Sequence, residues 1–378
     1  MHVQKITSNV LHLSVLFGLW LLVQIFCYQH FGIVTNLEAT KYIDQAHNYL
    51  QTGTYSSPNF LFYSVQILLL ATCLKYNISF VTLVVFQMLV NAFSILCFYR
   101  LAVRFSNKNV AFISTTYFLI FLFYQLYNTY LFTESLFFSF SILYTYFLFS
   151  RNHFGLKNIF MVALLLALLY FTRPTGVFFI PATLIFLGLK FFPKRRMYLI
   201  GAAILGCMFF YLLIDFALGS GGEYNFLMPY TYEMVICGVP TVNTVHTISV
   251  PLKQNSIGGL IYVSIHNFPL FFNLWLKRLV AFFGIYRPYY SSLHNAFAQT
   301  YFYLIYLVII CGMNYLFKRD KPEVLFLLTL ISLTAFTVMI SCDEWHNRFI
   351  LALLPFFLLL ATTAIGNFKN QRIIQASL

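Results

Sequence analysis

Glu38, Lys41, Tyr42 and Asp44 stand close together in EATKYIDQAHNYLQTGTY, a polar stretch directly behind a hydrophobic run. Read at about 100° per residue, Tyr42, Ile43, Ala46, Tyr49 and Leu50 form one apolar arc, with Lys41, Asp44, Asn48 and Gln51 opposite. The pattern predicts an amphipathic helix closed by Gly53 as the residue after its last turn. Lying along a membrane surface, such a helix holds Glu38 where lipid meets water and turns Asp44 away from the lipid. A carboxylate held there could act as a base towards something the bilayer delivers. It could equally be an acid that suits the start of a helix dipole.

Three further groups could join it. Glu134, in YLFTESLFFSF, sits between two aromatic hydrophobic runs. An acid so near hydrocarbon marks a functional position by default, although it also suits a helix start. Arg173, in FTRPTG, is a cation at a break made by Pro174 and Gly176. Backbone donors freed by a broken helix suit an anion, whereas a simple turn with a snorkelling arginine is the plainer reading. CDEWHNRF brings Asp343, Glu344, His346 and Arg348 together before the last apolar run. Its spacing matches no recognised metal cage, and Arg348 reads better as a phosphate clamp, because a guanidinium fork matches phosphate oxygens. A requirement for a divalent metal stays open.

The elements that must position these groups are membrane helices. The chain has 378 residues, 60% of them hydrophobic and only 9% charged, against about a quarter charged in soluble domains. Its formal charge of +13 comes from bases clustered between apolar runs, a pattern that reports membrane orientation and not nucleic-acid binding. With roughly 20 apolar residues needed per crossing, spans are expected near 9 to 31, 79 to 101, 110 to 131, 135 to 150, 157 to 172, 175 to 190, 197 to 218, 299 to 317, 322 to 340 and 348 to 366. That predicts an all-α, polytopic protein of about ten transmembrane helices in one integral membrane domain, 1–378. Phe60 to Tyr76 is apolar enough to cross, but a crossing there would put Arg100, Arg104 and Lys108 outside; it is expected to be interfacial or re-entrant.

This layout puts both termini and the clusters Arg100–Lys108, Lys190–Arg196 and Lys318–Lys321 in the cytoplasm. Loops 32–78 and 219–298 fold over the outer face, and among the acids only Asp320 and Glu323 fall inside. The second loop opens with Gly219, Ser220, Gly221 and Gly222 and carries Lys277, Arg278, Arg287, Tyr289, Tyr290 and His294. Of seven cysteines, only Cys237 and Cys342 are placed to pair outside. The first apolar run lacks a small-residue cleavage site and is expected to stay as a span. Outer acids that could activate a hydroxyl, with arginines that could hold a lipid phosphate, are equipment for transferring a sugar from a polyprenyl phosphate. No GxGxxG or Walker loop points to a soluble sugar nucleotide.

At these residues the chain resembles the GT-C superfamily of membrane glycosyltransferases, in particular the lipid A aminoarabinose transferases and the protein O-mannosyltransferases. Their D-E-x-x-Y segment, continuing as an alanine-bearing helix that ends in a small residue and glycine, is matched by Glu38, Ala39, Thr40, Lys41 and Tyr42, then Ala46, Leu50, Thr52 and Gly53. Glu38 stands where the family usually has Asp, and Ala39 where it often has Glu. Glu134 corresponds to a second outer acid and Arg173 to Gly176 to a basic turn; Arg287 to Asn295 and His346 to Phe349 resemble late elements of bacterial members. The resemblance implies inverting transfer from a polyprenyl-phosphate-linked sugar to a hydroxyl of a glycan, lipid or protein. Glu38 is then the base, Glu134 orients the acceptor or shares that role, and Arg173, Arg287 and Arg348 balance the departing phosphate. Lys41, Tyr42, Asp44, Tyr290, His294 and His346 are the remaining expected substrate contacts. The implied location is the inner (plasma) membrane, with the active site on its periplasmic or extracytoplasmic face. A transporter or an assembly subunit for lipid-linked sugars is the competing expectation; inverted repeats and midplane charges would favour the transporter, and here the charges collect at one face.

Overall fold

The computed structural model describes residues 2–192, 227–242, 248–249, 256–318 and 320–376, with scattered positions between 201 and 219; side chains are described from residue 10 to residue 366. Most of the expected span 197 to 218, and the bases Lys194, Arg195, Arg196 and Arg319, lie outside the described residues.

The described chain is all helical, with isolated backbone bridges and no named strand. The principal helices are α1 (His2–Phe31), α2 (Glu38–Thr52), α3 (Ser64–Lys75), α4 (Phe80–Phe105), α5 (Lys108–Ile120), α6 (Glu134–Phe149) and α7 (Leu156–Thr172). They are followed by α8 (Phe179–Lys190), α9 (Ile257–His266), α10 (Phe268–Gly284), α11 (Ser292–Cys311), α12 (Lys321–Ile340) and α13 (Arg348–Ala376). Short 3₁₀ segments at Pro58–Tyr63, Leu126–Thr129, Pro174–Phe178 and Trp345–Asn347 turn the chain between them.

The protein is a multi-span helical membrane protein. Six described helices are long and apolar enough to cross a bilayer, or eight if two bent pairs, broken by 67° and 105°, each count as one. Among the described residues the expected ten are not shown: α6, α7 and the Pro174–Lys190 unit have only 10–17 residues, shorter than the roughly 20 of a typical crossing, and most of 197–218 lies outside the described residues. Pro58–Lys75 is one of the six by length and composition.

The last helix is the axis of the bundle: the Trp345–Gly366 window is 83% buried, against 28% for Val10–Phe31. A helix that is apolar on all sides, as FILALLPFFLLLATTAI is, belongs in a core. α4, α5, α11 and α12 pack around it. At the end of the bundle away from Glu134, Glu323 of α12 is buried and paired with Arg104 of α4 and Lys190 of α8, so three helix ends share one carboxylate.

Helix α2 forms at the expected place and ends at Gly53, which is left-handed (φ 75°) and donates its N–H to the Tyr49 carbonyl at 2.9 Å. Its buried face differs from the expected arc: Ala39, Tyr42, Gln45 and Ala46 are buried, while Leu50 is exposed. Gln45 is turned inward because its amide is fully used by Ser56, donating to Oγ at 2.6 Å and accepting from the backbone N–H at 3.1 Å. The helix therefore packs on protein, chiefly α3. Asp44 is exposed on the opposite side, as expected.

Gly176 is required by a close approach. The 3₁₀ turn after Arg173 folds back on the end of α7, and a Cβ at Gly176 would lie 2.5 Å from the Leu169 carbonyl carbon. Gly176→Ala is expected to destabilise the protein by about 1–3 kcal/mol and to shift Arg173. Gly155→Ala, with nothing within 4 Å, serves as the neutral control. Melting temperatures of the two purified variants check this.

Candidate functional site

Two backbone contacts bring the first two acids together. Val34 N–H donates to the Thr129 carbonyl and Leu131 N–H donates to the Val34 carbonyl, both at 3.2 Å, forming a parallel bridge between Val34 and Tyr130. Glu38 and Glu134 each lie four residues beyond their bridged residue and each opens a helix. Leu37, directly before Glu38, has φ 57° and ψ −123°, a conformation that costs a non-glycine residue of order 1–3 kcal/mol. Backbone strain is thus concentrated next to the proposed base.

The centre of the cluster is Glu134, 1% exposed. Its Oε1 accepts from Arg173 Nη1 and, at 3.2 Å, from Arg348 Nη1. The other nitrogen of Arg348, Nη2, donates to Glu344 Oε2 at 2.5 Å and stands 3.7 Å from Glu38 Oε1. Glu38 also pairs with Lys41 at 2.6 Å. Three of the expected constellations, far apart in sequence, therefore meet at one guanidinium. Burial pushes the Glu38 carboxyl up, but Arg348 and Lys41 outweigh it and hold it below its ordinary value of 4.5, so Glu38 is ionised at neutral pH. Beside it Tyr42 is buried, 5.4 Å from the Tyr63 ring, with the Lys41 ammonium 5.3 Å from the Tyr42 ring centre.

A buried amide network holds Glu134 in place. Ser135 donates to Asn128 at 2.7 Å, Asn128 to Gln24 at 3.1 Å, and Gln24 to Gln125 at 3.2 Å. Gln87 of α4 donates to the Asn128 and Tyr130 carbonyls at 3.1 and 3.0 Å, and Gln66 of α3 reaches Gln87 at 3.4 Å. Away from water such groups cost free energy unless paired with one another. Sequence reasoning missed all of them. The signal was there: Gln24 interrupts one apolar run, Gln66 and Gln87 interrupt two more, and Gln125 and Asn128 flank the fourth.

The last constellation is held from the side. Cys237 and Cys342 form the expected disulfide, and Cys237 N–H donates to the Asp343 carbonyl at 2.8 Å. Asp343 pairs with Arg287 at 2.5 Å, both side chains 0% exposed. Arg287 also donates to the Tyr286 and Glu344 carbonyls, and its backbone is clasped by Asn295. It is a strut, out of reach of a ligand. His346 and Asn347 both have φ 59°, a left-handed pair that turns the chain so that Arg348 starts α13. Tyr290 bonds His346 at 2.8 Å, and its ring stacks on His294, which stacks in turn on Phe123. These aromatic groups form a rim beside the cluster. Asp44 is not brought into it.

Asp343, Glu344 and His346 do not converge: each faces a different partner, and the described residues contain no group of three metal-ligating side chains. Arg173 and Arg348 also line a small, mostly apolar cavity of about 20 Å³, with Phe178, Phe179, Leu330, Leu353 and Phe356. Compared with known proteins, the chain matches no family model and no curated sequence.

Glu134→Gln leaves two buried arginines without their shared charge and is expected to cost about 3–5 kcal/mol, whereas Glu38→Gln, at a part-exposed pair, costs about 1 kcal/mol or less; denaturant unfolding compares them. A carboxyl held low by the fold contributes stability that is complete above its unfolded value and lost as pH falls through the folded one. The melting temperature of the wild type should therefore drop more steeply below about pH 4.5 than that of Glu38→Gln.

Proposed function

We propose that the protein is a membrane glycosyltransferase that moves a sugar from a polyprenyl-phosphate donor to a hydroxyl of a glycan, lipid or protein. The observation that carries this reading is the guanidinium of Arg348, shared between buried Glu134 and part-exposed Glu38. Two arginines near the outer end of an apolar bundle suit a lipid phosphate, and a part-exposed carboxylate beside them suits a hydroxyl acceptor.

In this mechanism Glu38 takes the proton of the acceptor hydroxyl as its oxygen bonds to the anomeric carbon. The bond from that carbon to the phosphate oxygen breaks on the opposite side, so configuration inverts. The electron pair leaves with the phosphate, whose charge Arg348 and Arg173 balance. Glu134 keeps both arginines aligned, and Tyr42 and Lys41 line the acceptor side. Tyr290, His294 and His346 form the rim over which the acceptor arrives. The disulfide supports an extracytoplasmic site, since such bonds persist in oxidising compartments. Both termini then lie in the cytoplasm of an inner-membrane protein. We place Pro58–Lys75 in the outer interfacial layer: Gln66 sits level with Gln87, which reaches the Tyr130 segment just before Glu134.

Mass spectrometry of polyprenyl-phosphate glycans and envelope glycans, in cells lacking the protein, tests this. The expected result is accumulated monophosphate donor with one sugar missing from a product, restored by wild type and not by Glu38→Gln, whose turnover falls by about 10²–10⁴. Full restoration by normally expressed Glu38→Gln would remove the base assignment.

A further inference from the structure

The charges of the cluster cancel. Among the described residues, Glu38, Glu134, Asp343 and Glu344 face Lys41, Arg173, Arg287 and Arg348 in mutual ion pairs, so no arginine waits with an unpaired charge. An anion that takes Arg348 Nη2 must therefore replace a carboxylate. Which one it replaces follows from burial. Glu134 is held from below at 1% exposure, whereas the Glu344 and Glu38 side chains are 25% and 31% exposed. Both of these bear on the same nitrogen, Nη2. Arg348 Nε is buried and has no acceptor among the described residues. The Nη2 and Nε edge of the fork is thus half-occupied by protein, and a phosphate, with two oxygens at matching spacing, fits it better than a single carboxylate oxygen does.

We propose that Glu344 is an internal counter-anion that holds Arg348 until an incoming phosphate group displaces it together with Glu38, freeing Glu38 for the acceptor. This rests on reading the cluster as a phosphate site, and it adds a residue and an order of events that the proposed function lacks. Glu344 is a positioning residue: it touches no reacting atom, and it sets how strongly the phosphate must compete. The Glu344 side chain is 25% exposed and reaches Arg348 from four residues before it. Asp343, in contrast, is fixed by the disulfide-tied loop and by Arg287. The exchange also couples binding to chemistry. Burial raises the Glu38 carboxyl, and the neighbouring Arg348 and Lys41 lower it by more; with Arg348 drawn off to the phosphate, Glu38 becomes a stronger base once the donor is in place.

The test is binding of decyl phosphate to the full-length protein in nanodiscs, with decanol as the uncharged control and inorganic phosphate as the soluble one. Glu344→Gln should bind decyl phosphate about tenfold tighter than wild type, Glu344→Asp should return to the wild-type value, and decanol should bind all three alike. Competition by inorganic phosphate alone would assign the exchange to free phosphate; a need for the chain would assign it to a lipid phosphate. A structural role for Glu344 predicts a lowered melting temperature with binding equal to or weaker than wild type, and binding that does not tighten overturns the proposal. Should Glu344→Gln fail to fold, Glu38→Gln decides: removal of the 3.7 Å contact must tighten decyl phosphate binding by a few-fold, and weaker binding overturns it. Tightening without any sugar transfer in cells keeps the exchange and removes the transferase, while transfer with unchanged binding does the reverse.

Discussion

A carboxylate that is 1% exposed, between two arginines that are themselves nearly buried, is the interaction on which the rest of the outer face depends. A lone charge at that depth would neutralise or unfold its surroundings, because desolvation there costs several kcal/mol per ion. Glu134 escapes this only when the turn after α7 delivers Arg173 and the start of α13 delivers Arg348. Three segments of the chain must therefore agree to within hydrogen-bond distance before any one of them is stable. The same demand explains the amide network beneath: Ser135, Asn128, Gln24 and Gln87 lock the start of α6 so that the carboxylate cannot drift from its arginines.

The molecule has a charge cluster at each end of the bundle, and the two differ in how they are built. Glu323 ties Arg104 and Lys190 to one another where three helices end. Each partner there comes from a regular helix with ordinary backbone, which is the arrangement of a staple. At the other end Leu37, Ile285, His346 and Asn347 all have positive φ, and each lies within two residues of Glu38, Arg287 or Arg348. The Cys237–Cys342 disulfide holds the segment that leads into His346 and Asn347 from one side.

Much of the scaffold was legible because hydrocarbon leaves few choices: low charge and long apolar runs admit only helices satisfied from within. The Glu38 helix, its Gly53 terminus and the Cys237–Cys342 pair were legible for local reasons, namely periodicity, a left-handed cap and the scarcity of cysteines outside apolar runs. Helix lengths were less so, since α6 to α8 are apolar but short, and apolarity alone does not report where a helix stops. The buried face of α2 was misread at Gln45, whose burial depends on Ser56, a partner outside the helix.

Sequence alone determined that this is a multi-span helical membrane protein and which charged residues are out of place in it, because a charge near lipid is conspicuous without any knowledge of its neighbours. It did not determine which of them meet. Arg287 looked like a ligand for phosphate and is a buried strut, while Glu344, named only as a weak metal candidate, shares Arg348 with both acids. Those pairings were decided by tertiary structure, through a two-residue backbone bridge, a glycine packed on a helix end and a left-handed turn. The physical reason is that an ion pair forms over a few ångströms, and sequence separation carries no distance at that scale.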